Sequence, residues 1–182
     1  MSKDAWGYQP RNNRPAPDWE VESQTDAVRA GLTRSGFGET SEALFLNSGF
    51  TYSSAQEAFD SFTDETDHFL YSRFHNPTVA MFEKRLAAME GAEYCHAFGS
   101  GMAAVFASMA CMVEAGDHIV ASAAMFSSCH VIITEILPKW GVTYELVKAN
   151  DMAAWEKALS KPTKVVFIET PSNPLMEIVD IR

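Results

Sequence analysis

Phe-Gly-Ser-Gly-Met-Ala-Ala, residues 98–104, stands where a β-prone run ends and a helical pattern begins. The rest of the chain repeats this change from strand to helix. The predicted strands occupy 93–98, 118–123, 143–147 and 164–169, and the predicted helices occupy 102–114, 129–139 and 151–160, the last with Asp151 as its N-cap. Strands that alternate with helices of this length are typical of βαβ units, so the sequence predicts an α/β fold with a mostly parallel sheet.

The small residues of the 98–104 turn let backbone N–H groups approach an anion at a helix N-terminus, which predicts a phosphate site. Residues 99–104 also match the G-x-G-x-x-A pattern of dinucleotide-binding proteins. That interpretation requires an acidic residue at the end of the next strand, but the run 118–123 ends without one, and Asp117 lies at its amino end. A nucleotide-binding oxidoreductase is therefore disfavoured. A cofactor with one phosphate, or a turn that needs glycine only for its backbone, stays open.

The segments before the predicted sheet have a different character. Residues 1–40 are polar, contain several prolines and glycines, and predict an extended arm with a short helix at 26–32. Residues 41–62 are rich in aromatic side chains, so we expect them to pack, on another subunit if not on this one. A regular helix is predicted from Pro77 to a stop at Gly91, because Val79, Phe82 and Met89 recur at helical spacing.

Composition excludes several classes of protein. The 182 residues carry 14 Lys and Arg against 24 Asp and Glu, a net charge of −10, which lacks the basic footprint of a nucleic-acid binder. The longest apolar stretch, 102–113, is too short to span a bilayer, so we expect no membrane segment. The three cysteines form no CxxC pair, and the five histidines have no HExxH spacing. We therefore expect a cytoplasmic protein without a metal site.

A second cluster of chemistry-bearing residues lies just before the 77–90 helix. Tyr71 and Arg73 are two residues apart, and in an extended segment such side chains point the same way. Together they could bind one anion. The alternative is an arginine on the surface beside a packed tyrosine.

Three motifs resemble those of the cystathionine gamma-synthase family of Cys/Met-metabolism enzymes, which use pyridoxal 5'-phosphate (PLP). Residues 71–78, YSRFHNPT, resemble its YSRxxNPT motif; residues 100–104, SGMAA, resemble its phosphate loop; and residues 169–174, ETPSNP, resemble its ETPxNP strand end. The three occur in the family's order. The resemblance implies a fold-type I PLP-dependent transferase, with an arm and interface segment at 1–62 and the first part of the PLP-binding large domain at 63–182.

The resemblance also implies roles for the residues that carry the phosphate. Tyr71 and Arg73 would reach across a subunit interface to the phosphate of the neighbour's PLP, and Tyr71 is the one candidate catalytic residue. Gly101 and Met102 would bind the phosphate in their own subunit through backbone N–H groups. Ser100, at the start of the same motif, is a further candidate for cofactor binding.

Two more positions are implied to contact the ring of the cofactor. Phe126 corresponds to the aromatic residue that stacks on the pyridine, where many members have tyrosine, so any proton transfer by that hydroxyl cannot operate here. Ser127 departs from the glycine that commonly follows. Asn173 would hydrogen-bond near the phenolic oxygen of PLP.

Two neighbouring features keep alternatives open. Glu169 could tune the site or simply cap the turn that begins at Thr170. Cys129 and His130 could form a nucleophile and its base, but adjacent residues on a helix do not face each other, so this pairing is disfavoured.

Residues 42–50 and 54–58, together with Phe126, most resemble the branch of the family that replaces the succinate of O-succinylhomoserine by sulfide. That reaction yields homocysteine for methionine biosynthesis, from a small amino-acid substrate. Cystathionine gamma-synthases, methionine gamma-lyases and O-acetylhomoserine sulfhydrylases are the alternatives. The family also implies a homotetramer, built from dimers that share active sites.

No lysine in the sequence has the setting of a Schiff-base residue. There are seven: Lys3, Lys84, Lys139, Lys148, Lys157, Lys161 and Lys164. The family places this lysine after its ETPxNP motif, together with the aspartate for the pyridine nitrogen and the arginine for the substrate carboxylate. We therefore expect residues 1–182 to be the first part of a larger enzyme, without its C-terminal domain and inactive alone.

Overall fold

The computed structural model describes residues 22–63 and 65–181, and these fall into two compact units that meet in the chain between Ala97 and Phe98. The first 21 residues of the predicted arm lie outside the described residues. The division predicted at residue 62 concerns the domains of the family fold and stays a prediction.

The described residues of the first unit form three helices: α1 (Ser23–Arg29), α2 (Ala55–Phe62) and α3 (Pro77–Glu90). Helix α3 confirms the predicted helix and its stop. The side chain of Asn76 accepts a hydrogen bond from the Thr78 N–H at 2.8 Å, and Gly91 ends the helix in the left-handed conformation, with φ 64°. Glycine adopts this conformation without the steric cost that a Cβ would impose.

The short helix predicted at 26–32 begins earlier, as α1, and packs against α3. The Arg85 guanidinium of α3 donates to the Ala30 carbonyl at 3.0 Å and pairs with the carboxylate of Glu42. The described part of the predicted arm therefore folds onto its own chain from residue 23, rather than remaining extended.

The second unit contains a three-stranded parallel sheet in the order β2-β1-β3. Its strands are β1 (His118–Ser122), β2 (Thr143–Val147) and β3 (Val165–Phe167). Ala121 of β1 is in register with Leu146 of β2 and Phe167 of β3. The parallel sheet is therefore confirmed, although its third strand is shorter than predicted.

The strand predicted at 93–98 is wrong. These residues belong to no ladder in the described part of the chain, and the side chain of Tyr94 is 76% exposed. The Ala97 N–H donates instead to the Glu83 carboxylate of α3 at 2.8 Å. A β-prone run forms a strand only where a neighbouring strand accepts its backbone hydrogen bonds.

Three α-helices accompany the sheet: α4 (Gly101–Ala110), α5 (Ser127–Val131) and α6 (Met152–Leu159). The Asp151 side chain accepts from the Ala154 N–H at 3.0 Å, which confirms the predicted N-cap. The helix predicted at 129–139 is not one regular helix, because α5 continues as a π-helical segment (Ile132–Ile136) and a 3-10 segment (Leu137–Trp140). Pro138 has no N–H to donate, so regular α-helical bonding cannot continue through it.

The main core of this unit lies between one face of the sheet and helices α4 and α5 with their continuation. Met109, Ile119, Ile133 and Leu137 are at most 1% exposed. Within residues 22–63 and 65–181, no helix is long and apolar enough to cross a membrane. The core therefore sets the position of the α4 N-terminus and of the loops that leave β1 and β3.

Candidate functional site

The N-terminus of α4 presents unpaired backbone donors. The Ser100 hydroxyl caps the helix by accepting from the Ala103 N–H at 3.2 Å. The amides of Gly101 and Met102 donate to no acceptor in the described part of the chain. No heavy atom lies within 4 Å of where a Cβ on Gly101 would stand, apart from its chain neighbours and its own helix. This first turn is therefore open to an anion, which helix N-termini bind well.

The loops after β1 and β3 meet at the carboxyl edge of the sheet. The loop after β1 ends at Phe126, whose side chain is 38% exposed and which stands at the N-cap of α5. The loop after β3 contains Glu169 and Asn173. One carboxylate oxygen of Glu169 accepts from the Phe126 N–H at 2.6 Å, and the other accepts from the Asn173 N–H at 2.9 Å. A single side chain thus joins the two loops.

The loop after β3 has its own internal support. The buried Ser172 hydroxyl accepts from the Glu177 N–H at 3.0 Å, and the Thr170 hydroxyl accepts from the Val179 N–H at 3.1 Å. Among the described residues, the side-chain amide of Asn173 has no hydrogen-bond partner, and the residue is exposed. That amide is therefore available to a ligand at the sheet edge.

The start of α4 lies beside the start of α5. Met102 of α4 and Ser128 of α5 line one cavity of about 450 Å³, whose other walls are mostly apolar side chains of these two helices and the π-helical segment. The second unit therefore places Met102 beside Ser128, which follows Phe126 by two residues. Separately, Glu169 joins the backbone of Phe126 to that of Asn173.

Tyr71 and Arg73 are the two predicted site residues in the first unit. The sequence predicted an extended segment here, but the chain turns instead, because the Phe74 N–H donates to the Tyr71 carbonyl at 2.9 Å. The Arg73 guanidinium nevertheless contacts the Tyr71 hydroxyl and lies 5.0 Å from the centre of the Tyr71 ring and 4.5 Å from that of Phe74. The turn therefore brings together the phenol and the guanidinium that the extended geometry was expected to align.

The rest of the 71–78 motif supports this turn. The Asn76 amide is buried and donates to the Phe45 carbonyl at 3.0 Å and to the Ser72 hydroxyl at 2.8 Å. The Ser72 N–H donates to the Ser48 carbonyl at 2.9 Å. Ser72 and Asn76 thus anchor the turn to the 45–49 segment, while Tyr71 and Arg73 carry the groups that can bind an anion.

Cys129 and His130 do not form a nucleophile and base in this structure. Cys129 is buried, and burial first and the charge of Glu169 second raise the pKa of its thiol. The His130 ring lies 3.3 Å from the Thr134 hydroxyl, one helical turn onward. A thiol is nucleophilic as the thiolate, so both effects make Cys129 unreactive.

Cys129 is therefore expected to react with iodoacetamide at mildly alkaline pH more slowly in the folded protein than in urea, because the raised pKa of its thiol lowers the thiolate fraction and burial limits access of the reagent. Cys111, which is exposed, is the internal control. Mass spectrometry of the labelled peptides measures both rates. Equal labelling of the two cysteines in the folded protein would contradict this assignment.

Six of the seven lysines lie in the described residues. Lys161 donates to the Glu145 carboxylate at 2.7 Å, and Lys164 stands before β3, at the opposite edge of the sheet from Phe126. Lys148 follows β2 at the carboxyl edge but is exposed, and β1 separates its strand from the Glu169 loop. No three His, Cys, Asp or Glu side chains in this part of the chain are grouped to hold a metal ion.

The arrangement in the second unit fits a flat, aromatic cofactor that carries a phosphate. The α4 amides suit the phosphate, the exposed Phe126 ring suits a stacked heterocycle, and the Asn173 amide suits a ring oxygen. The sequence alone does not decide what Glu169 contributes. Its carboxylate accepts from a backbone amide 43 residues earlier in the chain, and such a contact has no local sequence signal.

Comparison with known proteins gives consistent matches. Residues 24–182 match the family of Cys/Met metabolism PLP-dependent enzymes. The chain is 51% identical over 171 residues to an O-succinylhomoserine sulfhydrylase of Mycobacterium tuberculosis, and 42% identical over 157 residues to one of Pseudomonas aeruginosa. These matches cover 94% and 86% of this chain and 42% and 39% of the two relatives.

A solved structure agrees with these relatives. It belongs to a Campylobacter jejuni protein assigned as an O-acetylhomoserine (thiol)-lyase and contains N'-pyridoxyl-lysine-5'-monophosphate. Its TM-score is 0.82 at 26% identity, over 89% of this chain and 40% of that one. The chain therefore spans about two fifths of the length of the proteins it matches.

Proposed function

Because the chain belongs to the Cys/Met metabolism family of PLP-dependent enzymes, we propose that its protein replaces the succinate of O-succinylhomoserine by sulfide. The products would be homocysteine and succinate, a step of methionine biosynthesis. The resemblance that three motifs predicted is confirmed, and with it the α/β parallel-sheet fold and PLP as the cofactor of the family.

The observation that carries the proposal is the 51% identity to an O-succinylhomoserine sulfhydrylase over 94% of this chain. It agrees with the resemblance of residues 42–50 and 54–58 to that branch. Phe126 adds to the argument, because the resemblance to that branch includes this position.

The residues of the second unit would hold PLP from three sides. The amides of Gly101 and Met102, next to the Ser100 cap, would donate to phosphate oxygens, and the positive end of the α4 dipole would favour their charge. Phe126 would cover one face of the ring and exclude water from it. The Asn173 amide would donate to the phenolic oxygen. PLP, when bound, supplies the electron sink that elimination and replacement at the γ-carbon require.

Tyr71 and Arg73 would complete the phosphate site from a neighbouring subunit. The guanidinium offers several donors and a full charge, and its stacking on Phe74 fixes its plane. The Tyr71 hydroxyl would donate to the same phosphate and stand close enough to move a proton at the substrate. In this role the enzyme would form dimers with shared active sites, within the homotetramer that the resemblance implies.

Three further parts of the proposal rest on the sequence. The substrate would be a small amino acid and the second reactant sulfide. The protein would bind neither nucleic acid nor a membrane. The cysteine pattern favours the cytoplasm. The lysine that links to PLP, the aspartate for its pyridine nitrogen and the arginine for the substrate carboxylate would come from residues outside this sequence.

The test is an assay of the complete product of the gene that encodes this chain. We expect O-succinylhomoserine and sulfide to yield homocysteine, with lower kcat/KM for O-acetylhomoserine. Homocysteine is measured by thiol derivatisation and mass spectrometry, and reactions without sulfide are the control. Rapid breakdown of methionine with no homocysteine formed would contradict the proposal.

The second candidate is an O-acetylhomoserine sulfhydrylase, favoured by the Campylobacter jejuni structure with its TM-score of 0.82. The same assay separates the two, because the succinyl group carries a charged carboxymethyl group that the acetyl group lacks. Cysteine in place of sulfide as the preferred nucleophile would indicate a cystathionine gamma-synthase.

A further inference from the structure

The Glu169 carboxylate connects two loops that are far apart in sequence. Its oxygens accept from the backbone amides of Phe126 at 2.6 Å and Asn173 at 2.9 Å. The first bond spans 43 residues and the second spans four. Glu169 is half-buried and makes no ion pair with a described residue. Its two oxygens therefore bind backbone donors and not a cation.

The sheet explains why one side chain can reach both loops. Strands β1 and β3 are parallel neighbours, with Ala121 in register with Phe167, so their carboxyl ends lie side by side. Glu169 follows the end of β3 by two residues. Hydrogen bonds to an ionised acceptor are stronger and shorter than neutral ones, so the two bonds restrain the loops relative to each other.

The restrained residues have complementary tasks in the proposed site. Phe126 would lie against the face of the PLP ring, and the Asn173 side chain would bond to an oxygen on the ring's edge. Either loop could move without the other if only its own strand held it. The carboxylate of Glu169 therefore sets the distance between the stacking group and the edge donor.

We propose that Glu169 is a positioning residue that holds Phe126 and Asn173 in register around the PLP ring. The inference rests on the proposed function, since it takes both residues as PLP contacts. Glu169 itself touches neither the cofactor nor the substrate in this role, because both of its oxygens are engaged with backbone N–H groups.

Two variants separate this role from a general effect of negative charge. Glu169→Gln keeps the length of the side chain but replaces one acceptor with an amide donor, so one loop loses its partner. Glu169→Asp keeps the charge but is one methylene shorter, so it cannot span both amides. A positioning role predicts that both variants hold PLP less well than the native protein. A role that depends only on negative charge predicts that Glu169→Asp holds PLP as the native protein does.

The experiment uses the complete gene product loaded with PLP. The visible circular dichroism of bound PLP reports the asymmetry of its surroundings, and gel filtration followed by absorbance measures the rate of PLP release. We expect both variants to lose more than about half of the circular dichroism signal and to release PLP about ten-fold faster, the factor that follows from weakening one charge-assisted hydrogen bond. Far-UV circular dichroism checks that each variant is folded.

Glu145→Gln is the matched control, because Glu145 lies on β2 of the same unit and its carboxylate pairs with Lys161 at the surface. It should retain the native signal and release rate. Native behaviour of Glu169→Gln, or of Glu169→Asp alone, would overturn the inference while leaving the proposed function intact. Absence of PLP from the unsubstituted protein would instead contradict the proposed function. If Glu169→Gln does not fold, the same two measurements on Glu169→Asp decide whether the inference holds.

Discussion

Replacing Arg73 with alanine is expected to lower the affinity of the complete gene product for PLP about 10- to 100-fold. A hydrogen bond to a charged group contributes about 1.5–3 kcal/mol, and each 1.4 kcal/mol is a factor of ten in affinity. Arg73 stacks on Phe74 and contacts the Tyr71 hydroxyl, so its loss also frees the phenol. Equilibrium titration of the apoprotein with PLP, followed by absorbance, measures the effect.

Two controls show whether the effect belongs to the phosphate. Arg73→Lys retains the charge without the planar fork and should fall between native and alanine. Arg29→Ala removes an arginine that bonds to the Thr40 carbonyl in the same unit, and should leave PLP affinity unchanged. Unchanged affinity in Arg73→Ala would contradict the assignment of Arg73 to the cofactor phosphate.

Replacing Met109 with alanine is expected to lower the free energy of unfolding of the second unit by about 2–5 kcal/mol, as for other large core side chains. Met109 is 1% exposed and belongs to the core between the sheet and α4. The cavity left behind cannot collapse fully in a closely packed interior. Urea denaturation followed by far-UV circular dichroism measures the change.

Met112 offers a control of the same residue type three positions away. It is 47% exposed, so Met112→Ala should change the free energy of unfolding by no more than about 0.5 kcal/mol. Equal destabilisation by the two substitutions would show that the core is not arranged around Met109 as described.

Local patterns predicted most of the secondary structure. Helix α3 begins at Pro77 and stops at Gly91 as expected, because a capping side chain and a left-handed glycine act within a few residues. The apolar residues whose spacing predicted this helix do not lie on its buried face, however. Val79 and Phe82 are 40% and 57% exposed, whereas Ala80 and Met81 are buried. Periodicity indicates a helix but not what covers each face.

In the candidate site, too, local features were predicted from the sequence and long-range contacts were not. The 98–104 turn predicted an anion site, since a helix N-terminus has free amides whatever surrounds it. The turn at Tyr71 was not predicted, because it depends on hydrogen bonds from Ser72 and Asn76 to the 45–49 segment. The 93–98 strand was predicted wrongly for a related reason: a strand needs a partner that its own residues do not specify.

By itself, then, the sequence determined the family and the parallel α/β architecture and suggested the residues proposed to bind PLP, because these depend on short motifs and on local backbone preferences. Only the tertiary structure decided which residues meet. Glu169 lies 43 residues from Phe126 along the chain, and the pairing of β1 with β3 brings the two within a hydrogen bond. A contact of this kind depends on strand order, which no local pattern encodes.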